Sequence, residues 1–138
     1  MKVPGLRSSY EKVGGIVYVG RMFDKIRLHA RGALPPDYRE NLGVAFDGRC
    51  LRFLGVEYPA LVARVLQGGA DEEILEWCFR NGRRPDEEEI QTWNGFMTRR
   101  GWRDEASESL EKAKQARGFG DRADIQTYFD FHRADEEA

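Results

Sequence analysis

The stretch at residues 71–102, DEEILEWCFRNGRRPDEEEIQTWNGFMTRRGW, reads as two amphipathic helices joined by an Asn81-Gly82 turn, and it holds all three tryptophans of the chain. On a helix, Ile74, Leu75, Trp77, Cys78 and Phe79 cover one broad side, while Glu72, Glu73, Glu76 and Arg80 take the other. In the second arm Ile90, Trp93 and Met97 recur at helical spacing, Asn94 falls inside that stripe, and Gly101 is placed to end it. Pro85 sits beside the start of this arm, and Asp86-Glu87-Glu88-Glu89 crowds its first turn, where the helix dipole favours acids. Two such faces must be buried. The expectation is that this pair forms the interior wall against which residues 20–31 close.

Upstream, residues 3–10 read as a polar lead-in laid over the surface. Gly14-Gly15 then precedes the β-branched run Ile16-Val17-Tyr18-Val19, which suits an extended segment or the first turn of a helix. From Gly20 to Arg31 the helical period is clear, with Met22, Phe23, Ile26 and Ala30 inward and Gly32 as the stop. Leu34-Pro35-Pro36-Asp37 breaks any helix, because each proline restricts its predecessor to extended geometry. In residues 42–46, Leu42, Val44 and Phe46 alternate. A pairing with residues 16–19 lacks turn chemistry, and coil or a short helix reads better.

Asp47 is placed to cap a short helix carrying Leu51, Phe53 and Leu54 and closed by Gly55. Pro59 opens a helix with Leu61, Val62, Val65 and Leu66, which Gly68-Gly69 ends, and Asp71 caps the next. From Asp104 an outer helix runs with only Ala106, Leu110 and Ala113 apolar. A last one starts at Asp121 or Asp124, with Ile125, Tyr128, Phe129 and His132 on one side. The acidic tail 134–138 is expected to fray. The fold class is therefore all-α: a single domain over 1–138, one bundle of about five or six helices, with at most a minor two-strand element.

Composition excludes more than it assigns. The 138 residues carry 33% charged side chains and a formal net charge of -2, against a chain built as a whole to grip phosphate backbones or anionic lipid. No apolar run approaches the ~20 residues of a membrane span, and the start shows no export signal. Cys50 and Cys78 are isolated among apolar residues and read as reduced core thiols of a cytoplasmic protein. With His29 and His132 they show none of the short spacings of a zinc site, so no metal ligand, cofactor or catalytic residue is assigned.

At this point the residues resemble a known family. Gly14-Gly15, Arg21-Met22-Phe23-Asp24-Lys25-Ile26-Arg27, Leu75-Glu76-Trp77, Trp93-Asn94, Gly101-Trp102 and Asp124-Ile125-Gln126-Thr127-Tyr128-Phe129 together are similar to a family of small soluble bacterial proteins, domain of unknown function 5069. The resemblance covers nearly the whole chain. It implies a single bacterial cytoplasmic domain and brings no activity, cofactor or site residue with it.

Three function classes remain. A non-catalytic binding or interaction protein leads, because the chain offers helical faces and charged clusters without a catalytic signature. The alternative is a binder of a small anionic ligand, or an enzyme, using Arg21, Asp24 and Lys25 in a pocket beside Trp93, Asn94 and Trp102. There Arg21 and Lys25 would hold the ligand and Asp24 would orient them or move a proton. Against it stands a structural ion-pair network around Asp24, and Asn94 reads first as a clamp on nearby backbone. A nucleic-acid binder comes last: a recognition helix meets base edges with its N-terminal residues, and here those are four acids. Arg80, Arg83 and Arg84, and Arg99, Arg100 and Arg103, suit an acidic protein partner better, and ordinary solvated surface best of all.

Overall fold

Gly14 and Gly15 both take positive φ, 58° and 78°, the two left-handed residues that a tight hairpin turn needs. They join β1 (Lys12–Val13) to β2 (Ile16–Val17) in an antiparallel pair, Lys12 opposite Val17 and Val13 opposite Ile16. Residues 42–45 form turns and Phe46 begins a helix, in line with the coil or short helix expected there rather than with a pairing to residues 16–19. The computed structural model describes residues 1–138. Eight helices follow the hairpin, more than the five or six expected, and the chain is mainly helical with this one small sheet.

α1 (Val19–Ala30) is buried almost all round: nine of its twelve residues are enclosed, Arg21, Asp24 and Lys25 among them. An amphipathic stripe is the wrong description for such a helix, and Ala30, placed inward by periodicity, is exposed. Gly20 lets α1 lie close to Arg7 and Val13, since a Cβ there would sit 2.8 Å from the Arg7 guanidinium carbon. α2 (Pro36–Arg39) is a single turn that starts at Pro36, where a proline at the first helical position costs no hydrogen bond. α3 (Phe46–Leu54) ends at Gly55 with φ 72°. α4 (Tyr58–Leu66) and α5 (Asp71–Asn81) follow as the sequence suggests.

α6 (Glu87–Arg99) opens with Asp86, whose carboxylate accepts from the Glu89 amide while Glu89 reaches back to the Asp86 amide. α7 is Ser107–Ala116. α8 (Tyr128–Glu137) begins later than Asp121 or Asp124, capped by Thr127, and runs through the segment expected to fray. The acidic tail is held because Glu136 finds a buried partner in Arg21.

The packing moves the centre of the fold from the tryptophan pair to α1. α1 lies on α4 and β1, α5 lies on α4 and β1, and α6 lies on β2 and α8. The two arms at 71–102 thus flank the molecule and meet its centre through the hairpin; they do not form one wall. Trp93 is buried, stacked on Phe53 with centroids 4.6 Å apart, and its Nε1 donates to the Val17 carbonyl. Trp77 is half-buried and Trp102 exposed, with the Arg103 guanidinium over its ring. The lead-in is more than a surface segment: Val3 packs with Leu28 and Leu34, and Ser9 is enclosed.

Candidate functional site

Two consecutive turns of α1 send Arg21 and Lys25 to the same side, one helical turn apart. Lys25 Nζ donates to Asp47 Oδ1 at 2.9 Å, and the Tyr18 hydroxyl donates to the same oxygen at 2.7 Å. Asp47 Oδ2 accepts from the Gly43 amide at 3.0 Å. Asp47 therefore spends its carboxylate on a buried cation and a buried phenol; it is not the cap that its position suggests. Burial pushes the Lys25 ammonium below its usual range, with the Asp47 charge opposing. Burial and the same carboxylate push Tyr18 up.

Arg21 grips Glu136 in a fork, Nη1 to Oε1 at 2.9 Å and Nη2 to Oε2 at 2.6 Å, and Tyr38 donates to Glu136 Oε2 at 2.9 Å. A bidentate pair of this kind fixes geometry as well as charge. It ties α8 to α1 across 115 residues of chain. His132, one turn earlier on α8, has Nδ1 2.8 Å from the enclosed Ser9 Oγ, and its ring packs against Phe46 and Phe129. Burial, then the charges of Arg21 and Lys25, push its pKa well below 6.5, so the ring is neutral near pH 7.

These groups surround a cavity of about 240 Å³ whose wall includes Tyr18, Arg21, Lys25, Tyr38, Phe46 and His132. At its mouth Arg117 of α7 lies between Asp37, 3.9 Å away, and Asp135, 3.5 Å away. Two wall residues hold left-handed backbone without being glycine: Tyr18 at φ 76° and Ala45 at φ 54°. Such residues cost about 1–3 kcal/mol each and persist where the surroundings over-determine them, which is common at functional sites. Because Nδ1 is taken by Ser9, Nε2 is the His132 nitrogen left for a ligand.

Of the six residues singled out from the sequence, only Arg21 and Lys25 reach this cavity. Asp24 turns to the N-terminal segment. Arg7 holds it through Nε at 2.9 Å and Nη2 at 3.0 Å, and Arg7 and Arg27 together clasp Asp71 at 2.6 and 2.7 Å. Burial opposes ionisation of Asp71, but the two arginines outweigh it and hold its carboxyl below the usual range. Asn94 makes two backbone bonds at the hairpin, Nδ2 to the Gly15 carbonyl at 2.8 Å and the Val17 amide to Oδ1 at 3.0 Å. Trp93 supports the same hairpin and Trp102 lies on the surface, so the three do not line a common pocket with Arg21 and Lys25.

Sequence reasoning missed Asp47 and Glu136 as partners of α1, and Tyr38 as a second donor to Glu136. An acid at a helix start looks like a cap, and an acid in a charged tail looks like solvated surface. The one signal that the last helix packs inward was its apolar side, Ile125, Tyr128, Phe129 and His132, which places the helix but not Glu136. Cys50 and Cys78 are buried free thiols, both pushed up by burial, Cys78 to about 12. No helix is long and apolar enough to cross a membrane.

Fold and site together define a small, mainly helical protein with a half-open polar cavity beside its central helix. The chain belongs to the family described as domain of unknown function (DUF5069), whose model matches residues 3–138. No curated protein matches it.

Proposed function

We infer that the protein binds a small polar organic molecule in the cavity between α1, α2, α3 and α8. The observation that carries this reading is an imidazole whose Nε2 is left open beside a buried ammonium, in a half-open cavity with aromatic walls. Convergent polar groups in an otherwise apolar concavity are what a ligand site needs. At about 240 Å³ the space sits below the range of drug-sized sites, so the ligand is small. Arg21, Lys25 and Arg117 are matched on the lining by Asp37, Asp135 and Glu136. That balance favours a zwitterion or a single anionic group over a polyanion. The setting we propose is the bacterial cytoplasm, in keeping with two buried reduced thiols.

The test is a thermal-shift screen with amino acids and small carboxylates, run on the wild type and on His132→Gln. A ligand present at a hundredfold excess over its Kd stabilises by about 2.7 kcal/mol, enough to raise Tm visibly. The expected result is a shift in the wild type that His132→Gln diminishes. Equal shifts in both proteins, or none in either, would contradict the reading.

A further inference from the structure

A second depression, open and shallow, lies between α3 and α6. Its volume is about 560 Å³, and Arg49, Arg52 and Phe53 meet Thr92, Trp93 and Phe96 there. The floor is aromatic: Phe53 and Trp93 are stacked at 11° between ring planes. Phe96 is 40% exposed and forms one side, with the guanidinium carbons of Arg49 and Arg100 5.0 and 5.3 Å from its ring centre. Most arginines of this chain close onto a carboxylate, as Arg7, Arg21, Arg27, Arg83 and Arg100 do. Arg49 and Arg52 make no ion pair within the chain, although Glu89 lines the same depression and is taken by Arg83. Arg99, three residues beyond Phe96 on the same helix, bonds only to the Gly95 carbonyl. Unpaired guanidinium groups beside an apolar floor are complementary to a carboxylate-bearing chain with an apolar anchor.

We propose that the α3–α6 depression is a docking surface for an acidic segment of a protein partner, one that sets an aromatic or large aliphatic side chain on the Phe53–Trp93–Phe96 floor and its carboxylates on Arg49 and Arg52. Arginine suits this role because its planar fork takes a carboxylate through two parallel hydrogen bonds. Single-stranded nucleic acid fits less well. A single strand stacks successive bases on a series of exposed rings, whereas here Phe96 alone is exposed, enough to receive one anchoring side chain. Glu89 also lines the depression but is paired with Arg83, and Glu105 with Arg100, so the uncompensated charges at the depression are those of Arg49 and Arg52. The surface is separate from the α1–α8 cavity and shares no lining residue with it.

The experiment is fluorescence anisotropy with a labelled peptide of glutamates flanking a central phenylalanine, against the full chain and an Arg49→Ala/Arg52→Ala double variant. A peptide with lysine for glutamate and an oligouridylate run in parallel. Both substituted side chains lie on the surface side of α3, and circular dichroism checks that the variant folds as the wild type does. The expected result is saturable, salt-sensitive binding of the acidic peptide that the double variant weakens roughly tenfold or more, with the lysine peptide unbound. Phe96→Ala should weaken binding as well. Absence of binding, equal binding by the double variant, or tighter binding of the oligouridylate would overturn the proposal. So would a wild-type dimer in size-exclusion chromatography that Arg52→Glu splits, because the face would then belong to a second copy.

Discussion

Asp47 is the residue on which the interior charge balance turns. It is 1% exposed and neutralises Lys25, itself 4% exposed, while anchoring the strained Tyr18. Removing one partner of a buried pair leaves the other uncompensated, which costs about 3–5 kcal/mol, whereas replacing both by apolar groups is often neutral. Asp47→Ala should therefore lose that much in urea denaturation at neutral pH, and the double variant Asp47→Leu/Lys25→Met should recover only part of it, because the Tyr18 hydroxyl and the Gly43 amide stay without their acceptor. Equal stabilities for Asp47→Ala and the wild type would show that the pair does not hold the fold. His132 makes a pH prediction with a definite sign. Its folded pKa lies well below 6.5. As the pH falls under about 6.5 the unfolded chain takes up a proton that the folded chain refuses, and stability drops through that window. Tm measured stepwise below pH 6.5 should fall less steeply in His132→Gln than in the wild type.

At the scale of elements, the β1–β2 hairpin is too short to stand alone. α6 holds it, through Trp93 Nε1 and both ends of the Asn94 amide. Asn94→Ala strips two backbone groups of their partners, and the expected cost is about 1–3 kcal/mol, read as a lowered urea midpoint; an unchanged midpoint would count against the clamp. The helices were legible in the sequence because period and punctuation agree: Gly32 and Gly55 stop helices at positive φ, and Asp86 with Glu89 starts one. The hairpin was harder to see. Its strands are two residues each, too short for an alternating pattern, and the only local mark is the Gly14-Gly15 pair. Asn94 stood out as an amide within an apolar stripe, and its partners lie on the glycine turn that such a stripe could reach.

On the scale of the whole molecule, the two ends of the chain fasten one another. Ser9 meets His132, Tyr10 donates to Asp130 at 2.6 Å, and Arg21 grips Glu136, so residues far apart in sequence wall the same cavity. That is why the candidate site was only half legible. Arg21 and Lys25 could be read from one helix, but their partners come from α3 and α8, and no local pattern reports contacts across such separations. The same distance explains why α1 took the centre: a helix with charges on its stripe looks amphipathic until each charge meets a buried partner. Deleting residues 134–138 removes Glu136 and leaves Arg21, 4% exposed, without its carboxylate. The truncated chain should lose about 3–5 kcal/mol in urea denaturation, far more than the loss of an exposed tail. The most direct measurement is an NMR chemical-shift titration of the full chain with amino acids and small carboxylates. The expected perturbations centre on Tyr38, Ala45 and His132; perturbations confined to residues outside the α1–α8 cavity, or none at all, would contradict a ligand site there.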